Sequence, residues 1–550
     1  MKTPEHSAVK THFCNLTTLG VLLPLLLTVS SQAVTFTVTT TDDSGPGSLR
    51  QAIVDANSTL GTDTIEFNIP GGGPHTIQPL SALPNITDPV IIDGWTQPGF
   101  SNSPIVELDG SNAGATACGL LVYGGNSIVR GLVINRFHYG GIALVTEGDN
   151  VIEGNFIGTD MSGTVARGNG DFENIYWGYP GLYMNSSRNV IGGTTAGRRN
   201  IISGNTFGIV IQCCGGGNRV LGNYIGTDVN GTNALGNSSG IIVGGEGTNS
   251  IIANLISGNI IDGVQICSLR GDIVQGNLIG TDITGKGKLG NGCGLRLGSA
   301  EGTIVGGTNS AARNVISGNQ HGVDVGGNGH HIIQGNLIGT DITGAAALGN
   351  DLGVFLWSSY NLIGGTEPGA RNIISGNNQA LQTWTEGNNL VQGNFIGTDI
   401  TGTSNLPNKI CLYGPGGGDI IGGSEPGARN IIAGVMDIRS SSNIVQGNYI
   451  GTDVTGTLAI GNPGPGIYLG DTAVGNLIGG TVPSAGNLIS GNGGVGIALN
   501  GSGVIGTVIQ GNLIGTDYTG TRPLGNWDGI GTQDSPGNII GGEESGAGNT

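Results

Sequence analysis

Short apolar alternations recur along the chain, three to five residues long and bounded by Gly and Asn: Gly240-Ile241-Ile242-Val243, Gly466-Ile467-Tyr468-Leu469, Gly496-Ile497-Ala498-Leu499. Runs this short, closed by turn residues, signal strands and not helices. They are organised by two alternating motifs. Ile-Gly-Thr-Asp occurs seven times, ending at Asp160, Asp228, Asp282, Asp341, Asp399, Asp453 and Asp517, with gaps of 68, 54, 59, 58, 54 and 64 residues. The second motif reads Asn-Leu-Ile-Gly-Gly-Thr-Glu-Pro-Gly-Ala-Arg-Asn-Ile-Ile-Ser-Gly-Asn from Asn361 to Asn377, with relatives near Asn189, Thr303, Asp419, Asn476 and Asn538 and a shortened copy at 249–259. A unit of about 60 residues with six strand segments equals two coils of about 29, each coil holding three strands.

That pattern predicts an all-β fold, a parallel β-helix of about 15 coils over residues 118–550. Coils stack ~4.8 Å apart into a rod of ~70 Å, and the crossover rule makes it right-handed. Ile, Leu and Val stack in a narrow core, and Gly fills corners that need positive φ or close approach. The recurrent Asn reads as a ladder of side-chain amides along the rod. The recurrent Asp reads as a turn residue whose carboxylate accepts backbone N–H groups. Calcium is the one cofactor that this Asp row could serve, and nothing in the repeat requires one. Copies two coils apart lie ~10 Å from each other, and calcium needs six or more oxygens in one shell.

The amino-terminal stretches differ. Residues 1–33, with Lys2, Lys10, the apolar Leu19–Val29 and Ser31-Gln32-Ala33, read as a secretory signal peptide. This predicts a secreted or cell-surface protein with no membrane span in the rest of the chain. Residues 34–117 do not repeat. A strand is expected over 34–40. Ser48 and Gln51 form a capping box for a short amphipathic helix, Leu49 to about Ala56, whose apolar face takes Leu49, Ala52, Ile53, Ala56 and Leu60. The segment is read as the amino-terminal cap of the rod. At the other end the chain stops at Thr550 inside a motif copy, as a truncated repeat would.

Composition narrows the class. Glycine supplies 110 of 550 residues without a Gly-X-Y period, which excludes collagen. The regular apolar pattern excludes disorder. A net charge of −18 argues against nucleic acid as partner. Outside the leader, Cys118, Cys213, Cys214, Cys267, Cys293 and Cys411 match no metal spacing.

Thr37 to Ile53, with Asp63-Thr64-Ile65-Glu66-Phe67, resembles the CSLREA-type amino-terminal module of bacterial surface proteins. Gly47 stands for that motif's Cys and Gln51 for its Glu. The remainder resembles right-handed parallel β-helix repeat proteins of the pectin-lyase-like superfamily. That resemblance implies acids and a basic residue gathered on one face of the rod, and it leaves function open between lyases, hydrolases, epimerases, tailspikes and adhesins.

A catalytic centre occurs once, so departures from the repeat are the place to look. From Asp160 to the next Gly-Gly takes 32 residues, against 23 to 26 in five other copies. The insertion carries Asp171, Glu173, Tyr176, Trp177 and Tyr179, with Arg136 and His138 as neighbours in the repeat. Asp171, Glu173, Arg136 and His138 are the catalytic candidates, and Tyr176, Trp177 and Tyr179 the substrate-binding ones. Arg313, Arg371 and Arg429 form a repeated stripe expected to pair with carboxylates or carbonyls. His330 and His331 are expected on opposite sides of the backbone, and Trp357 and Trp384 extend an aromatic surface. The reading favours a monomeric rod acting as stalk, adhesin or carbohydrate-binding surface toward a polysaccharide or surface glycan. A polysaccharide lyase, glycoside hydrolase or epimerase is the alternative.

Overall fold

The computed structural model describes residues 33–170, 180–212, 216–384, 387–414, 416–470 and 472–550. Among them three parallel sheets of 18, 16 and 15 strands run the length of a parallel β-helix. One coil passes through Ser250–Ile252 in the first sheet, Leu255–Ile256 in the second and Asp262–Ile266 in the third. It then re-enters the first sheet at Ile273–Gln275. Ile273 pairs with Ser250 below and Ile304 above, so successive coils here take 273 − 250 = 23 and 304 − 273 = 31 residues. The alternation of short and long coils is why the sequence repeats every second coil.

The two-residue strands of the second sheet explain the paired apolar positions of both motifs. Their second residue points into the rod: Ile202, Ile225, Ile256, Ile279, Ile316 and Ile338 are fully buried in one continuous core. Their first residue points outward into a separate apolar stripe. It contains Phe156, Ile201, Tyr224 and Leu255, and further along Val315, Leu337, Ile373, Phe395 and Ile431.

Loops that begin at each Ile-Gly-Thr-Asp cover this outer stripe. The Asp closes its loop from within. Asp282 Oδ1 accepts N–H groups of Thr284, Lys286 and Gly287 at 3.1, 3.2 and 3.1 Å, as the turn reading predicts. Burial pushes this carboxyl up, but the donors outweigh it and hold it below its ordinary pKa. Loops two coils apart touch each other. Ile283 N–H donates to Gly231 O, and Ile342 N–H to Gly285 O, both at 2.9 Å. Val229 and Val454 from these loops lie over the outer stripe.

Asparagine ladders line the corners. Between the first and second sheets the ladder is unbroken from Asn155 to Asn549, each Nδ2–H donating to the next Oδ1. Between the third and first sheets it is interrupted. Asp272 and Asp419 replace Asn, each accepting from the rung below. His331 replaces another. Its Nδ1 accepts from Thr303 N–H at 3.1 Å, which puts its proton on Nε2, 3.1 Å from Gly326 O. Burial drops its pKa to about 4.

The amino-terminal segment is continuous with the rod. Thr35–Val38, Asp63–Phe67 and Val90–Asp93 belong to the first sheet, His75–Ile77 and Val106–Asp109 to the second. The helix spans Leu49–Ala56, with Ser48 Oγ accepting from Gln51 N–H at 3.2 Å. Leu49, Ala52, Ile53 and Ala56 join the core. Leu60 does not: it follows the helix and is 68 % exposed. The helix ends at Asn57, so the helical period cannot carry it to the buried face. No helix among the described residues is long and apolar enough to cross a membrane.

Candidate functional site

Side chains of the third sheet alternate inward and outward. One outward column, read rung by rung, is Ile242, Gln265, Arg296, Asp324, Phe355, Gln382, Tyr413, Asp437 and Tyr468. Inward positions are uniformly aliphatic here, as in Val264, Leu295, Val323 and Val354. The outward column is not, so its residue choices are free of the core's demands.

Its first half is an ionic cluster. Arg296 Nε lies 2.9 Å from Asp262 Oδ1 and its Nη1 3.0 Å from Asp324 Oδ2. His321 Nδ1 meets Asp324 Oδ1 at 2.9 Å. Burial pushes the Asp262 carboxyl up against the opposing pull of Arg296. The Asp324 hydrogen bond pushes His321 up. Cys293, buried in register between Asp262 and His321, has its thiol raised well above the usual value by burial and by Asp324. It is held as a thiol, not a thiolate nucleophile.

The second half is aromatic. His321 and Phe355 meet edge to face at 6.5 Å, and Phe355 and Trp384 at 6.1 Å. Trp384 is 59 % exposed and Trp357 45 %. Trp357 occupies the space above Gly326, where any Cβ would collide with its indole. Further along, the Arg439 guanidinium sits between Tyr413 and Tyr468, 5.8 and 5.7 Å from their centroids, and its Nε reaches Asp437 Oδ1 at 3.0 Å. At the edge of this face His330 stacks on Tyr360 at 5.5 Å while His331 is buried, the opposite facing that their adjacency predicts.

A polar groove of about 530 Å³ opens beside the start of these strands. Lys288, Gly349, Gln320 and Asp351 line it, with Asn291 and Asn319 of a corner ladder, and Lys288 Nζ donates to Gly349 O at 3.0 Å. Its glycines serve stacking: a Cβ on Gly290 or Gly349 would strike the backbone of the next coil. The trough is therefore a by-product of close coil packing.

Of the residues singled out by sequence, Asp171, Glu173, Tyr176, Trp177 and Tyr179 lie outside the described residues, as do Cys213 and Cys214. Arg136 sits at positive φ and pairs with Asp109 at 2.8 Å and Glu107 at 3.7 Å. Those carboxylates also accept from Gln78, Thr76 and Asn135. Arg136 thus closes a satisfied network at the outer side of the second sheet. His138 is exposed on the segment that follows. The repeated arginines bond carbonyls, Arg313 to Gly335 and Arg371 to Gly393, and Arg371 and Arg429 lie 4.0 Å over Phe395 and Tyr449. They seal one margin of the outer apolar stripe. Among the described residues no three His, Cys, Asp or Glu side chains converge as a metal site.

No family model matches the sequence, and no curated protein does. Among solved structures the chain is similar to the Dettilon tailspike protein, at 15 % identity and TM-score 0.31, over 81 % of this chain and 62 % of that one. It is also similar to pectate lyase Pel9A (14 %, TM-score 0.28, 76 % and 78 %). A third is the A-module of the mannuronan C-5 epimerase AlgE6 of Azotobacter vinelandii (12 %, TM-score 0.24, 94 % and 99 %). The chain spans less than two thirds of the tailspike's length.

Proposed function

We propose that this protein is a secreted or cell-surface β-helix whose third sheet is a carbohydrate-binding face, with the rod serving as the stalk that presents it. The observation that carries the reading is the outward aromatic run of exposed Trp357 and Trp384 and half-buried Phe355, Tyr413 and Tyr468, interleaved with carboxylate, amide and guanidinium groups on one rigid surface. Aromatic rings cover the apolar faces of sugars, and the polar groups between them bond hydroxyls. A β-sheet holds both without the ordering cost of a loop. The leader-like residues 1–33 and the CSLREA-like stretch support export.

Retention of the whole chain on immobilised polysaccharides tests this. Wild type is expected to be retained by at least one glycan, and Trp384→Ala to elute earlier with an unchanged melting temperature. Equal retention of both proteins would remove the face from the account.

A second reading, a polysaccharide-active enzyme, is favoured by one feature. Asp262 and Asp324 share Arg296 on one outward face, at 2.9 and 3.0 Å, and paired carboxyl groups are the equipment of acid–base chemistry. Asp171 and Glu173 are the other acids such an enzyme would draw on. Loss of polymer chain length, abolished by Asp262→Asn, would establish it.

A further inference from the structure

The first sheet has an outer face that neither the core nor the carbohydrate-binding reading uses. One outward column, read rung by rung, is Ile273, Ile304, Ile332, Leu362, Leu390, Ile420, Ile444, Leu477, Val508 and Ile539. All ten are at least partly open to solvent, Ile420 at 37 % and Ile539 at 53 %. Their inward neighbours, such as Val274, Val305 and Ile333, already supply the core. A parallel sheet that is apolar on both faces is ordinarily covered on both.

The strip is also uncharged. Its ten strands contain no Asp, Glu, Lys or Arg. Beside the aliphatic column, Nε2–H of Gln275, Gln392 and Gln446 donates to the carbonyl of Gly306, Gly422 and Gly479 in the next coil, each at 2.9 Å. These amides lie along the sheet, held within it. Acids stand in the flanking loops: Glu301 before one strand, Glu367 and Glu425 after two others.

Charge and size point to the occupant. A chain of net charge −18 repels a second copy over most of its surface. The third sheet carries ions, and the second lies under loops that begin on acids. On the strip two copies meet without opposing charges. Ten rungs ~4.8 Å apart and three residues of ~3.3 Å across give about 430 Å² per copy. A pair then buries about 860 Å², the size of a weak, reversible interface.

We propose that two copies of this chain pair face to face through the first sheet, as a weak two-fold dimer that leaves both third sheets open. The monomeric rod expected from the sequence is then the dilute form. The proposal is independent of the carbohydrate-binding reading.

Sedimentation equilibrium of the whole chain across the micromolar range tests it. The mass is expected to rise from one chain toward two. Association should tighten at high salt, because screening relieves the acidic rims while the apolar contact persists. Leu390→Lys and Ile420→Lys should each weaken association at least about tenfold, since the two-fold buries each unpaired ammonium twice. Gln265→Lys, outward on the third sheet, should not. Melting temperatures should hold in all three, and if a lysine variant melts early, Leu390→Gln reads the same contact without a charge. One-chain mass at every concentration would overturn the proposal. So would a mass above two chains, which a closed two-fold pair cannot reach, and so would a dimer that survives every substitution in the strip.

Discussion

At the scale of single residues, the corner ladders hold their informative exceptions. Asp419 occupies an asparagine rung, accepts from Asn389 N–H and Nδ2–H, and lines a small internal cavity with Ser440 and Asn443. Burial pushes its carboxyl up to about 6 from 3.8, against the hydrogen bonds from Asn389 and Thr383. The folded protein thus keeps this proton where the unfolded chain has lost it. Stability from this group is complete below pH 3.8 and falls as pH rises through 6, by at most about 3 kcal/mol. An asparagine there has no proton to lose and can donate to the next rung, Asn443, whose Oδ1 already accepts Asp419 N–H at 3.0 Å. Asp419→Asn should therefore raise the melting temperature at neutral pH and flatten its dependence between pH 4 and 6. Parallel pH profiles for both proteins would show that Asp419 is not held protonated.

At the scale of the strand and its loop, register depends on close backbone approach. Gly364 sits at φ +88°, and a Cβ there would lie against Gln392 O of the next coil. Gly364→Ala combines left-handed strain with that clash. It should cost about 2 kcal/mol or more in denaturant unfolding, whereas Gly→Ala at Gly72, where a Cβ meets nothing, should be near neutral. The strands, turns and asparagine ladders were legible in the sequence because each is a local motif repeated many times. The Leu49–Ala56 helix was legible from its capping box. The outer apolar stripe was not, because two adjacent apolar residues such as Phe395 and Ile396 carry no alternation to say that one faces out. Nor was the aromatic column. Unequal coils put Phe355, Tyr413 and Tyr468 at sequence gaps of 58 and 55, and only strand register shows that they form one line. Trp357 and Trp384 were noticed as aromatic surface, without the neighbours that give them a purpose.

At the scale of the molecule, the rod carries two unlike surfaces on one core. The second sheet hides its outer side beneath stacked Asp-closed loops and arginines lying over aromatic rings. Among the described residues the third sheet turns most of its outer side chains at least partly to solvent, and there they switch from aliphatic to aromatic and ionic. A solenoid adds such a surface one rung at a time, so a binding face can lengthen without altering the core. The central claim is that this face holds the glycan. Hydroxyl-radical footprinting of the whole chain, with and without a neutral β-linked oligoglucoside, reads it directly, since aromatic side chains are among the most readily oxidised groups. The account predicts that Trp357, Trp384, Tyr413 and Tyr468 lose reactivity with the glycan bound, while the exposed Tyr518 and Trp527 do not. Protection confined to Tyr176, Trp177 and Tyr179, with the third-sheet aromatics unchanged, would contradict it.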